Sequence, residues 1–376
     1  MSPGITNGMP SPAPLHFSVP VAIVALCSAI LGGCSRSPAP QSAAPSPTPA
    51  SAVSPTVLRP GRSTDAQQHR AITREQLARL FSGKFDELEA EAARLQTSPE
   101  RLRDGTWQRQ AFYDALSCSG SSRDPDWTRF EQALLDWQAR YPNSDAVRLA
   151  LANFYIEYAW KARGSGYANT VTEEGWRLFA SRLQTAHREL VSIHSPDYRN
   201  ESYWQSMLTL ARGLQVPKEE VLAEVEKALA TSPHRTTILR NTVIYLLPRW
   251  FGERGEWQAW LARQTQGAEK SPERDAEYAL AVSTALYYVG QDDGAPFGSG
   301  DADWPRVRKG LLLREKQFPE SLRFKSNLLL MAYYANDRAT AREVESRSEG
   351  FYEPGALTGR EIEDINEWLN EPAASQ

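Results

Sequence analysis

From Thr73 onward, apolar residues recur at steps of three and four along most of the chain. Leu77, Leu80, Phe81, Phe85, Leu88, Ala92 and Leu95 fall on one face of a long helix, opened by Thr73 and Gln76 in a capping-box pattern. The same periodicity predicts helices near 105–117, 126–140, 144–163, 173–193, 200–213, 218–230 and 235–247. It continues near 255–266, 272–289, 304–317, 321–335, 338–348 and 359–369. Within 144–163 the stripe is Val147, Leu151, Phe154 and Tyr158. Alternating runs of the β type, bounded by turn residues, do not occur. The pattern predicts an all-α protein.

The helices come in similar pairs. Tyr141-Pro142-Asn143-Ser144, Ser232-Pro233-His234-Arg235 and Phe318-Pro319-Glu320-Ser321 each divide one amphipathic helix from the next. Proline stops the first helix, and a polar residue is placed to cap the second. Leu329, Ala332, Tyr333, Asn336, Asp337 and Ala341 are spaced like the helix–turn–helix junction of tetratricopeptide repeats, which the sequence resembles here. No strict 34-residue period accompanies it. The expected architecture is a degenerate, tetratricopeptide-like α-solenoid of antiparallel helix pairs, each burying its apolar face against its neighbours.

The N-terminus reads differently. Val19 to Leu31 is apolar or small apart from Pro20 and Ser28. That run is shorter than the roughly 20 residues of a membrane-spanning helix and suits a signal-peptide core. Leu31-Gly32-Gly33-Cys34-Ser35 follows, and it resembles the lipobox of bacterial lipoproteins. The resemblance implies that residues 1–33 are removed and that the Cys34 sulfur carries the lipid. Ser35 after that cysteine implies sorting to the outer membrane, with the protein facing the periplasm. No Lys or Arg precedes Arg36, a departure from the basic start such signals usually have. Residues 34–72 are rich in Pro, Ser and Ala, a composition that cannot offset its ordering entropy, and read as a disordered tether. At about 3.1 Å per residue, such a tether reaches on the order of 100 Å.

The expected organisation is therefore a signal peptide (1–33), a tether (34–72), a helical-repeat domain (73–290), a loop (291–303) and C-terminal helical hairpins (304–370) packing on the main domain. A net charge of −4 gives no nucleic-acid footprint. Cys27 leaves with the signal and Cys34 is lipidated, so Cys118 alone remains and no intrachain disulfide can form. Such a chain suits an oxidising compartment. Cys118 reads as a structural thiol at the end of a helix, since nothing around it in sequence is electropositive.

Two blocks carry the candidate binding chemistry. Tyr158 to Trp176, with Trp160, Arg163, Gly164, Gly166, Tyr167, Asn169 and Thr172 among its residues, resembles the signature of an uncharacterised bacterial family with a tetratricopeptide-like helical fold. Tyr245-Leu246-Leu247-Pro248-Arg249-Trp250-Phe251-Gly252 and Gly255-Glu256-Trp257 resemble that family's second block. The similarity spans roughly Trp127 to Tyr288 and implies no catalytic residue. On their own chemistry, Arg163 and Arg249 could grip a carboxylate, phosphate or sugar, and Trp160 or Trp250 could stack on a ring or a partner side chain. Tyr167 and Asn169 add hydrogen-bonding capacity. The same residues could instead serve structure: arginines bonding loop carbonyls, tryptophans filling gaps between helices.

Catalytic patterns are missing from the sequence. His187 and His194 are seven apart, about 10 Å along a helix, too far for paired metal ligation. The aspartates of 290–303 do not have the spacing of a calcium loop. Nucleophile elbows, phosphate loops and Cys-x-x-Cys pairs do not occur. No cofactor or metal is expected. The sequence points to a lipid-anchored binding or scaffold protein that offers a helical-repeat surface to a protein, peptide or glycan. The alternative is a periplasmic enzyme acting on envelope glycan or peptide, which requires two inward carboxylates sharing one groove.

Overall fold

The computed structural model describes residues 64–118, 125–164, 166, 168–267, 269, 271–289, 297 and 302–371. Residues 1–63, which include the expected signal peptide, Cys34 and most of the expected tether, lie outside the described residues, as does most of the 291–303 loop. Among the described residues there are fifteen α-helices, two short 3-10 helices and two isolated β-bridges, and no strand. The fold is all-α, and consecutive helices pack together in solenoid-like order.

Two compact units share the chain. The first comprises Gln76–Ser98 and Phe112–His234. The second holds the described residues up to Glu75, together with Pro99–Ala111 and the chain from Arg235 onward. The chain thus passes between the units after Glu75, Ser98, Ala111 and His234, and the helices before and after the 291–303 loop belong to the same unit. In the second unit, Gly310 marks a close approach between the helices before and after that loop. A Cβ there would overlap the Asp275 carbonyl, so glycine lets the helices on either side of the loop approach backbone to backbone.

The first unit is built around one helix. α1 (Asp65–Phe81) ends in it, followed by α2 (Phe85–Thr97), the end of α3 (Gln108–Ala115), α4 (Trp127–Arg140) and α5 (Asp145–Arg163). α6 (Glu173–Val191), α7 (Glu201–Gly213) and α8 (Lys218–Thr231) complete it. α5 packs against α2, α4, α6 and α7. It buries far more than the stripe predicted for it: Ala146, Val147, Leu149 to Ile156 and Ala159 are all covered. Ser144 starts this helix as expected, accepting from the Ala146 and Val147 amides. Phe154 stacks on Phe130 with ring centroids 5.6 Å apart, and it meets Tyr158 at 5.4 Å and Trp127 at 5.9 Å.

The predicted long helix from Thr73 is interrupted. α1 and α2 are separated at Gly83, whose φ of +67° ends the first helix. The periodic pattern ran across this turn because Phe81 and Phe85 keep the step of four through it. α1 also starts at Asp65, eight residues before the expected boundary, so 65–72 are helix and not tether. Thr73 is no cap; it lies inside the helix, and its hydroxyl donates to the His69 carbonyl.

The second unit shows what starts α1 so early. It contains the first part of α1, the 99–107 turn, α9 (Arg235–Tyr245), α10 (Glu256–Gln264) and α11 (Glu273–Val289). α12 (Trp304–Gln317), α13 (Leu322–Tyr334), α14 (Arg338–Ser348) and α15 (Gly359–Asn370) follow. Glu353, between α14 and α15, accepts from the Asp65 amide at 2.9 Å and the Ala66 amide at 2.7 Å. A distant carboxylate thus caps the first helix. Asp65 in turn accepts from the Arg323 amide at 3.0 Å and the Ser321 hydroxyl at 2.7 Å. Ser321, expected to cap α13, makes no capping bond itself, and Asp65 performs that task.

Beside this clasp, Asp104 lies 3.0 Å from His69 Nε2 and 3.2 Å from an Arg323 nitrogen. Burial pushes the Asp104 carboxyl up. The His69 hydrogen bond, the Arg323 charge and the Thr106 amide outweigh that and hold it well below the usual range. A carboxyl depressed in the folded state contributes stability above its unfolded pKa of roughly 3.9, and the contribution fades as pH falls through the folded value. Stability of the second unit is expected to fall below about pH 4. Asp104→Asn should flatten that acid limb in urea titrations between pH 5 and 2, by about 1–3 kcal/mol.

Candidate functional site

A polar recess lies in the first unit, beside the buried helix α5. It is a cleft of about 40 Å³ lined by Asp114, Ser117, Asn153, Ile156, Glu157, Gln205, Ser206 and Thr209. Three chain segments build it. α3 and the turn after it supply Asp114 and Ser117, α5 supplies Asn153, Ile156 and Glu157, and α7 supplies Gln205, Ser206 and Thr209. Residues four apart share a helix face, so Asn153 and Glu157 stand together, as do Gln205 and Thr209.

The lining is a built arrangement, not a loose surface. Ser117, Asn153 and Ser206 are 6%, 7% and 5% exposed. The Ser206 hydroxyl donates to Asn153 Oδ1 in a short hydrogen bond between α7 and α5. The Ser117 hydroxyl donates to the Asp114 carbonyl at 2.8 Å. Burial raises the Glu157 carboxyl from the ordinary glutamate range, and the Arg212 charge opposes that shift without cancelling it. A polar group held in a dry position without full compensation is costly, which marks such positions as candidate sites.

The residues singled out from the sequence are placed otherwise. In the first unit, Trp160 is half-buried on the last turn of α5, with its ring edge-on to Phe179 at 5.0 Å. The Arg212 guanidinium lies 5.3 Å from the Trp160 ring, and that of Arg163 lies 5.5 Å from it. Arg163 donates to the carbonyls of Gly164 and Gly166, both at 3.1 Å. Gly164, at φ +74°, turns the chain so that one guanidinium reaches both. Thr172 caps α6 by accepting from the Gly175 amide. Asn169 is exposed on a one-turn 3-10 helix, and Tyr167 lies outside the described residues.

In the second unit, Arg249 donates to the Tyr288 carbonyl at 2.8 Å, and its guanidinium lies 6.0 Å from the Trp250 ring. A Cβ on Gly252 would overlap the Leu246 carbonyl, so glycine is what lets this turn fold back on α9. Phe251 is thereby stacked on Tyr245, with centroids 4.5 Å apart. Arg163 thus holds loop carbonyls and Arg249 the carbonyl of a residue at the end of α11, while each tryptophan has an arginine beside its ring.

The cleft residues were missed by sequence reasoning, although one signal was present. Asn153 and Glu157 are polar positions inside an otherwise apolar stretch of α5. Cys118, adjoining the cleft's Ser117, is buried at φ +72°. Among the described residues no group of three or more His, Cys, Asp or Glu could hold a metal ion, and no helix is long and apolar enough to cross a membrane. Comparisons with protein-family models, with curated proteins and with solved structures each found no match to this chain.

Proposed function

We propose that this chain is a lipid-anchored binding protein of the bacterial envelope, tethered through Cys34 to the outer membrane on its periplasmic side, and that its helical framework holds a partner at the α3–α5–α7 cleft. The observation that carries this reading is the cleft itself: Ser117, Asn153 and Ser206 are buried polar side chains gathered from three segments around an under-compensated Glu157. The lipobox-like Leu31 to Cys34 and the Pro/Ser/Ala-rich stretch after it support the anchoring. A tether favours capture near the membrane.

One observation favours an enzyme instead. Asp114 and Glu157 are two carboxylates lining the same cleft, the arrangement a glycan-cleaving site requires. Size weighs against it. Small-molecule sites occupy roughly 300–1,000 Å³, and a cleft of about 40 Å³ admits a single functional group of a partner, not a sugar ring between two carboxyls.

The test is a photo-crosslinking residue at Gln205, on the half-buried side of the cleft, in living cells. A defined adduct that disappears with Glu157→Gln is expected, its partner identified by mass spectrometry. An adduct pattern indifferent to Glu157 would remove the cleft from the account. Mass spectrometry of the mature protein tests the anchor: a lipidated Cys34 N-terminus is expected, and an intact 1–33 segment would contradict it.

A further inference from the structure

The block around Trp250 has exposed company in the second unit. Tyr287 and Tyr288, near the end of α11, are 80% and 39% exposed. Their rings meet edge to face, with centroids 5.4 Å apart. Arg249 joins the two parts: it donates to the Tyr288 carbonyl at 2.8 Å, and its guanidinium lies 6.0 Å from the half-buried Trp250 ring. Aromatic side chains held open to water at a helix end form a contact surface. We infer that this patch docks the chain's own proline-rich segment, residues 38–49, folded back onto the unit it leads into.

Composition names the occupant. From 38 to 49 the chain holds five prolines in twelve residues, and no Asp or Glu precedes Asp65. Such a sequence favours the polyproline II helix, whose carbonyls make no internal hydrogen bonds. Aromatic surfaces recognise that form: ring faces take the prolines, and polar tips donate to the carbonyls. Tyr287, Tyr288 and Trp250 supply the faces, and the two phenols supply donors.

Reach names it too. Thr64, where the described chain begins, belongs to the second unit, the one that carries the patch. The fifteen or so residues from Pro49 to Thr64 span up to about 45 Å. A compact unit of roughly 150 residues has a radius of gyration of about 15 Å, so its full width falls within that span. Joined to the same chain, the segment meets the patch at a millimolar effective concentration, where a contact of about 1 mM affinity is occupied roughly half the time. For a protein anchored at Cys34, docking would take up part of the tether and hold the folded part nearer the membrane. That consequence rests on the anchored reading; the docking does not.

The test uses the chain from Ser35, which keeps every described residue and carries no lipid. Its tyrosine rings are labelled with carbon-13 and followed by NMR, and Tyr287→Phe and Tyr288→Phe assign the two signals. Both signals are expected to differ between this chain and one starting at Ser63, independently of protein concentration. A peptide of residues 37–50, added to the shorter chain, should move them saturably toward the positions of the longer one. Tyr287→Ala should weaken that peptide about tenfold, with its urea midpoint measured alongside and the Tyr288 signal as reporter. Pro45→Ala, Pro47→Ala and Pro49→Ala together, in the longer chain, should return both signals to the undocked positions, and they alter no described residue. Identical signals in the two chains, or shifts kept in full by the triple variant, would overturn the inference. Shifts that grow with protein concentration would place the segment on a second copy and overturn it as well. Signals that move with chitotetraose and not with the peptide would make the patch a sugar site, against the inference. An unlipidated Cys34 would remove only the consequence for distance from the membrane.

Discussion

Asp65→Ala is expected to destabilise the second unit by about 3–5 kcal/mol, the range for removing one member of a buried charged network. Asp65 is fully buried. Its carboxylate caps α13 at the Arg323 amide, accepts from the Ser321 hydroxyl and lies 3.4 Å from Arg103 Nε. Alanine leaves those donors without their acceptor in a site water does not reach. Asp65→Asn keeps an oxygen for one of them and should cost less. A shortened chain starting at Thr73, the boundary suggested by composition, should lose the same stability, because it lacks the α1 start that Glu353 caps. One starting at Ser63 should not. Urea unfolding of these four variants and the unaltered protein reads the difference, and an Asp65→Ala midpoint equal to that of the unaltered protein would show the clasp to be incidental.

Phe154→Ala is the second large effect, about 3–5 kcal/mol for an aromatic core truncation that leaves a cavity. Phe154 is fully buried and touches the rings of Trp127, Phe130, Tyr155 and Tyr158. It is also next to Asn153 on the helix that carries Glu157, so loosening it moves the cleft as well as the core. Phe154→Leu, which keeps most of the volume, should cost roughly half as much or less. Urea midpoints give the stability, and the Ile156 methyl line reports the cleft. A narrow, unshifted Ile156 line in Phe154→Ala would separate cleft geometry from core packing, contrary to the structure.

Much of the fold was legible because its signals are local. Pro142, Pro233 and Pro319 each fall between two helices, and the stripes between them set helix ends to within a few residues. The failures share a cause of another kind. α1 starts at Asp65 because Glu353, 288 positions away, satisfies its first amide. Nothing in the Pro- and Ser-rich neighbourhood announces that. Ser321 looked like a cap and is instead bonded to Asp65.

The candidate site was less legible. Arg163 and Arg249 stood in polar loops where either ligand or carbonyl partners fitted the sequence, and the geometry gives them carbonyls. The cleft draws on residues near 115, 155 and 207, which only tertiary packing brings together. A buried polar pair such as Asn153 and Ser206 is invisible until α5 and α7 are known to be neighbours.

The most direct test of the central claim compares partner capture by the unaltered protein, Glu157→Gln and Arg163→Ala, each crosslinked from position 205 in cells. The account predicts that Glu157→Gln loses the adduct while Arg163→Ala, if folded, keeps it, since Arg163 is engaged with its own loop. Retention by Glu157→Gln with loss in a folded Arg163→Ala would contradict it and move the binding site to the 163–172 loop.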